Sequence, residues 1–436
     1  MSIIILSKFR TGLYILIVLI PLESQRIILP YASKENFKDI ITIPYLFPAI
    51  IISCMSYVLF RFTVVEQTKG EKLVGSAINF IILLLVIWSF ITLFWAPNFY
   101  KSLLYESRFL SNIALFYLIV TVINHNHKEL YLKLLNVHIV TGIVLSIAGI
   151  VSLFMTFKPY SYTFEATNFL WLNFSFFTYP HRLMGLSFHN VISQLSNILI
   201  AITFGLILIS KEKKYYYGMV LFLFVITQLL TRSRGGLVGF IVMVAFFFVS
   251  IRSLREKFFR NVIFFFIIFV FLFISVNLDD FIYGTARYST ELADKSISQR
   301  IGWWKDALQM LLKKTAGFGL SPGGFTHYFG SWKIPHAHNI YLSVLFDFGI
   351  VGFILWISFL WVLIKKVYHI MIMQVQSPYK TMLCSVTGGV IATGIHGLID
   401  MEYNIASIWF ALGILIATLN LAKKELATLN PGVFNS

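Results

Sequence analysis

Four short segments of this 436-residue chain gather the side chains that could do chemistry on a charged substrate. Thr231-Arg232-Ser233-Arg234-Gly235-Gly236 sets two guanidinium groups beside a hydroxyl and two glycines. Guanidinium meets phosphate through two parallel charge-assisted bonds, and glycines leave backbone amides open at the start of a helix, so this turn could capture an anion. The same arginines could instead reach from the end of an apolar run towards lipid headgroups. Arg300 opens Arg300-Ile301-Gly302-Trp303-Trp304 and becomes a second clamp if it shares a face with that pair; Arg287 is a weaker version of the same idea. His336 and His338 stand two apart, a spacing that can ligate metal, but no carboxylate or cysteine lies close in sequence and no metal is expected. A neutral imidazole near pH 7 is suited to take a proton from a hydroxyl. In the fourth segment, His396 to Glu402, one of Asp400 and Glu402 either orients His338 or holds an arginine, or the two belong to an ordinary solvated turn.

The elements that must position these groups are membrane spans. Hydrophobic residues make up 58 % of the chain, aromatics 17 % and charged residues 12 %, far from the balance of a soluble domain. Apolar runs predict an all-α polytopic membrane protein of about twelve transmembrane helices, near 11–29, 41–60, 74–95, 103–123, 132–157, 189–209, 215–231, 235–251, 260–278, 338–364, 381–399 and 402–421. The whole of 1–436 reads as one integral membrane domain, with a large external loop over 279–337 between spans nine and ten. The first run lacks a small-residue cleavage pattern and is expected to be retained as a span. Cys54 and Cys384 both fall in apolar runs, so they are expected as packing residues without a disulfide.

The net charge of +16 could suggest nucleic acid, yet the basic residues sit in short connections and no nucleic-acid-binding module accompanies them. They orient the chain instead. Nineteen of the 35 Lys and Arg fall at the termini and after even-numbered spans. Of the 16 opposite, seven lie in the long loop, which the positive-inside rule disregards, so both termini are expected in the cytoplasm. Three external segments then carry the candidates: the aromatic-rich stretch 158–188 with Trp171, Tyr179, His181 and Arg182, the Thr231–Gly236 turn, and the long loop. Within that loop a short amphipathic helix is expected near Ile301–Leu312, with Trp303 and Trp304 towards lipid. The glycine-rich Gly317–Gly324 lacks the lysine and the strand–helix setting of a phosphate loop, and reads as a flexible loop shaping a pocket.

The ordered set Ser233-Arg234-Gly235, Arg300 with Trp303 or Trp304, and His338-Asn339 followed after nine intervening residues by Gly349 and after two more by Gly352, resembles the O-antigen ligase and polymerase superfamily. The similarity covers roughly residues 180–405, is densest between 228 and 352, and Asp400 in the last external turn is consistent with it. The resemblance implies a GT-C-like membrane glycosyltransferase without a cofactor. Its donor would be a glycan on undecaprenyl diphosphate, taken at the periplasmic face of the inner membrane and passed to an acceptor sugar. It carries Arg234 and Arg300 over as diphosphate-binding residues, His338 as the base that activates the acceptor, and Arg182 as a further basic residue. Arg232 and His336 are neighbours without a clear counterpart, with Asn339 and Asp400 in support.

Elementary chemistry agrees with that expectation. Outside the cytoplasm there is no nucleotide sugar, so the energy must arrive in the substrate, and a lipid diphosphate needs its leaving charge stabilised more than it needs a proton. The leading expectation is transfer onto a lipid A-core sugar. A repeat-unit polymerase would use the same residues, with Arg232, Lys295 and Lys333 compatible with a second lipid-diphosphate site. A transporter is the competing class, but the middles of the spans are nearly free of charge and the two halves do not match.

Overall fold

A bilayer offers no partners for backbone N–H and C=O groups, so apolar stretches of this length close their hydrogen bonds internally as helices. The computed structural model describes residues 9–20, 75–155, 164–169, 172–179, 182–185, 189–210, 212–251, 290–329, 337–373, 375, 377–400 and 403–429. Its helices are α1 (Phe9–Leu19), α2 (Ser76–Thr92), α3 (Phe99–Met155), α4 (His189–Ile209), α5 (Lys214–Leu230), α6 (Arg234–Ser250), α7 (Thr290–Thr315), α8 (Gly324–Phe329), α9 (Ile340–Met371), α10 (Pro378–His396) and α11 (Ala406–Leu429). Six helical stretches among the described residues are long and apolar enough to cross a membrane, and α5 and α6 are apolar but shorter. The chain is an all-α polytopic membrane protein. The expected spans at 41–60 and 260–278 lie outside the described residues.

Element α3 is 57 residues long. A straight helix of that length would extend about 85 Å, far beyond one bilayer. Its contacts show two antiparallel limbs instead. Asn112, Phe116 and Ile119 meet Asn404, Trp409 and Gly413 in rising order, whereas Tyr131 and His138 meet Thr418 and Phe410 in falling order. The chain therefore reverses between Ile119 and Tyr131, and the two spans expected there are Phe99–Asn124 and Glu129–Leu153.

Helices α4 and α11 run through the middle of the bundle, where most of their residues are buried. Trp409 on α11 anchors an aromatic core, with its ring centroid 5.7 Å from Phe109, 5.8 Å from Trp356 and 6.3 Å from Phe359. Its indole N–H donates to the Tyr403 carbonyl at 2.9 Å, so the one polar atom it carries is satisfied in that core.

Three expectations change. The aromatic-rich stretch before α4 contains a small antiparallel sheet, β1 (Phe164–Phe169), β2 (Leu172–Tyr179) and β3 (Arg182–Gly185), ordered β1-β2-β3. Alternating aromatics and small polar residues favour strands, and Leu183 is buried against Gly149 of α3. Helix α7 has 26 residues, and its tryptophans turn inward rather than to lipid. Trp303 and Trp304 pack on a small second core of Ala307, Leu311, Leu320, Phe325 and Phe346, and the Trp304 indole donates to Ala337 O at 2.7 Å. An indole N–H has no partner in hydrocarbon, whereas Ile301, Leu308 and Leu312 have no polar atom to satisfy and form the exposed apolar stripe.

The third change is at Gly317–Gly324, which is locked rather than flexible. Gly349 inside α9 adopts φ 67, kinking the helix and releasing backbone groups from its ladder. The glycine loop takes them up: Leu320 N donates to Phe346 O at 2.7 Å and Ile350 N to Gly317 O at 2.9 Å. Trp88 of α2 covers Phe348 O at 2.6 Å, and Trp95 holds Gly319 O at 2.7 Å. Loop and kink fit because neither has a side chain between them; a Cβ on Gly349 would sit 2.3 Å from Gly317 O.

Candidate active site

Five helix termini converge at one end of the bundle: the N-terminus of α4, the two that meet in the α5–α6 turn, the N-terminus of α9 and the C-terminus of α10. Ser233 caps α6, its hydroxyl accepting from Gly236 N at 3.4 Å. The same hydroxyl lies 3.3 Å from His396 Nε2 on α10. The glycines after it are needed for close approach. A Cβ on Gly235 would meet the His396 ring at 2.6 Å, and one on Gly236 would overlap Ser193 Oγ of α4 at 1.7 Å. Asn197 ties the turn down further, donating to Gly236 O at 2.9 Å.

Asn339 caps α9, its side-chain oxygen accepting from Leu342 N at 3.0 Å. Its amide group donates to Leu398 O at 2.9 Å, and Ile340 N donates to Gly397 O at 2.8 Å. The start of α9 is thereby stitched to the turn that ends α10. Across that stitch His338 Nδ1 lies 2.8 Å from Asp400 Oδ1, and Asn190 of α4 donates to the other carboxylate oxygen. Of the alternatives open for Asp400, orienting His338 is the one its geometry supports. His338 is partly accessible, with 22 % of its side chain exposed, so an acceptor can approach the ring.

One arginine reaches the turn that carries this pair. Arg300 of α7 donates from Nη1 to Ile399 O at 2.8 Å, which brings it beside Asp400. A guanidinium has five N–H donors, so one bond to a carbonyl leaves capacity for phosphate oxygens. Arg234 is exposed at the first turn of α6, and Arg232 is half-buried with φ 51. Residue 182 lies on β3 opposite Tyr179, and the position of its side chain lies outside the described features. His336, Arg287, Lys333, His181 and Glu402 lie outside the described residues. The structure thus brings together Ser233, Arg234, Arg300, His338, Asn339 and Asp400, from segments spread over 168 positions. Among the described residues no group of three or more His, Cys, Asp or Glu gathers to hold a metal.

Sequence reasoning missed several partners. Asn190, Ser193 and Asn197 form a polar edge on α4, and the signal was a run of polar side chains at the head of an otherwise apolar helix. His396 was part of the last turn but carried no assigned contact. Glu106 and Asp347 are carboxylates buried inside apolar helices, which corrects the expectation that such stretches hold almost no charge. Their signal was the ionisable residue itself, costly in hydrocarbon and so retained for a reason.

A predominantly helical integral membrane protein with a histidine–carboxylate pair and arginines at one end of its bundle is the class this architecture defines. Residues 219–357 match the family model described as O-antigen ligase, a stretch that contains Ser233, Arg234, Arg300, His338, Asn339, Gly349 and Gly352. The match supports the O-antigen ligase superfamily for this chain, in agreement with the motif resemblance. No curated protein matches the chain.

Proposed function

We propose that this protein is a glycosyltransferase that moves a glycan from a lipid diphosphate, undecaprenyl diphosphate, onto an acceptor sugar of lipid A-core. The family match supports a ligase- or polymerase-like glycosyltransferase in general; donor, acceptor and mechanism are the further reading. The observation that carries it is the His338–Asp400 pair at 2.8 Å, at the same end of the bundle as Arg300 and the Ser233–Arg234 turn.

The chemistry follows from that placement. With Nδ1 engaged by Asp400, the proton of the acceptor hydroxyl passes to His338 Nε2, and Asp400 stabilises the imidazolium that forms. The acceptor oxygen attacks the anomeric carbon from the face opposite the leaving group. The carbon–oxygen bond to the phosphate breaks, and the bonding pair leaves with the lipid diphosphate. Arg300 and Arg234 neutralise the charge that develops there, Arg232 and Arg182 adding positive potential. Attack from the far side inverts the anomeric centre, and no step calls for a metal. The site would face the periplasm of the inner membrane, with residues 279–337 as the external loop between the ninth and tenth expected spans.

Purified protein in nanodiscs, supplied with undecaprenyl-diphosphate oligosaccharide and rough lipid A-core and without metal or nucleotide, tests this. Glycosylated core lipid should form, and His338→Ala should lower the rate by about 10²–10⁴. Arg234→Ala should lower it by about 10²–10³. Longer chains that stay on the diphosphate lipid would make the protein a repeat-unit polymerase working with the same residues. Binding of the glycolipid without transfer to either acceptor would sink the transferase reading in favour of transport.

A further inference from the structure

Asp347 lies two turns into α9, 5 % exposed, and takes no part in the chemistry above. Its carboxylate is nevertheless fully engaged. Oδ2 accepts from Gly323 N and from the Tyr403 hydroxyl, both at 2.9 Å, and Oδ1 accepts from Phe325 N at 3.3 Å. Three donors on two oxygens call for a carboxylate, because an asparagine offers one acceptor oxygen and turns an NH₂ group towards the others. The space left beside it, lined by residues including Tyr105, Ser343 and Asn404, is about 10 Å³. That is on the order of one water, so neither a sugar nor a phosphate can reach the group.

What Asp347 holds is the turn that carries Asp400. On one side of Asp400 this turn is fastened to the start of α9 by Ile340 N to Gly397 O and Asn339 Nδ2 to Leu398 O. On the other side the Tyr403 hydroxyl fastens it to Asp347, two turns further along the same helix. Asp400 sits between the two fastenings, and His338 sits just ahead of the helix to which both are made. The Tyr403 ring is itself wedged between Phe109 and Phe348, at 5.6 and 5.1 Å, so its hydroxyl has little freedom. The bonds to Gly323 and Phe325 add the return of the α7–α8 connection to the same point.

We propose that Asp347, acting with Tyr403, is a positioning residue that sets Asp400 against His338. The proposal rests on the reading of His338 as the base. A clamp of this kind acts on turnover and not on donor affinity, since it touches no substrate, and a displacement of about 1 Å at a reacting group can cost up to about 10² in rate.

Tyr403→Phe keeps the ring and removes one donor, and Asp347→Asn keeps the volume and serves as the second variant should either fold poorly. Each should lower kcat by about 10- to 100-fold while KM for the lipid-linked donor stays within about twofold. In an Asp400→Asn background, adding Tyr403→Phe should cost less than about a further twofold, because the route through Asp400 is already broken. Hydrogen exchange gives a readout independent of turnover: the Ile340 and Asp400 amides should exchange about tenfold faster in Tyr403→Phe, with α5 unchanged. Equal losses of kcat in both backgrounds would reduce Asp347 to a stability element and overturn the proposal. So would unchanged exchange, or faster exchange with normal kcat. If the wild-type protein transfers glycan to no acceptor, the functional reading fails by itself, and the exchange of Ile340 and Asp400 decides whether the clamp exists.

Discussion

His338 is a non-glycine residue at φ 54, in the left-handed region that L side chains rarely adopt. Such a conformation costs of order 1–3 kcal/mol and persists only where the surroundings over-determine it. Here they do: Asn339 caps the next helix, Ala337 accepts from Trp304, and Asp400 takes the ring. The strain aims the imidazole away from the path of α9 and towards the turn of α10. Asp400→Asn should leave the fold intact, since Asn190 and the amide bonds of the turn remain, yet lower the transfer rate by about 10²–10⁴ through loss of imidazolium stabilisation and of the required tautomer. A steady-state assay beside a melting curve in detergent checks it. A large loss of melting temperature with only a small rate effect would make Asp400 a structural residue.

At the scale of elements, the kinked helix α9 does the most to shape the site. Its first half presents His338 and Asn339, and the break at Gly349 changes its course where α2 and the glycine loop press against it. Gly349→Ala combines a left-handed residue, at about 1–2 kcal/mol, with a Cβ driven into the loop backbone, so it should lower the melting temperature by several degrees. Gly302→Ala, at a half-buried position in the middle of α7 with nothing within 4 Å of the new Cβ, should be neutral or stabilising by up to about 1 kcal/mol. Paired melting curves decide it. If the two variants melt alike, the kink is incidental.

For the whole molecule, the five converging helix termini place the candidate site at one end of a membrane bundle, opposite the end where α5 begins at Lys214. Single cysteines at Gln309, exposed on α7, and at Lys213 test which end is which in a cysteine-free background. An impermeant maleimide applied from the periplasmic side should label Gln309→Cys and spare Lys213→Cys until the membrane is opened. The reverse pattern would put the site in the cytoplasm, where nucleotide sugars abound and the argument for a lipid-diphosphate donor loses its force.

Membrane class, several span positions, and Arg234, Arg300, His338, Asn339 and Asp400 as candidates were legible from residue type and linear spacing; their partners Asn190 and His396 were missed. Hydropathy is a local property: Arg234, His338 and Asn339 each sit at the end of an apolar run, and Arg300 heads an amphipathic segment. The reversal inside α3, the inward turn of Trp303 and Trp304, and the lock between Gly319 and Gly349 were not legible, because each depends on which surface arrives from elsewhere in the chain. So does the pairing of His338 with Asp400, 62 positions apart. Sequence alone left the role of Asp400 open between His338, an arginine and a solvated turn; distance places it on His338 and Asn190. The buried Asp347 was visible as a charge in an apolar run, yet its meaning lay in Gly323, Phe325 and Tyr403. A single carboxylate can be read in one dimension, but the three donors that justify its burial come together only in three.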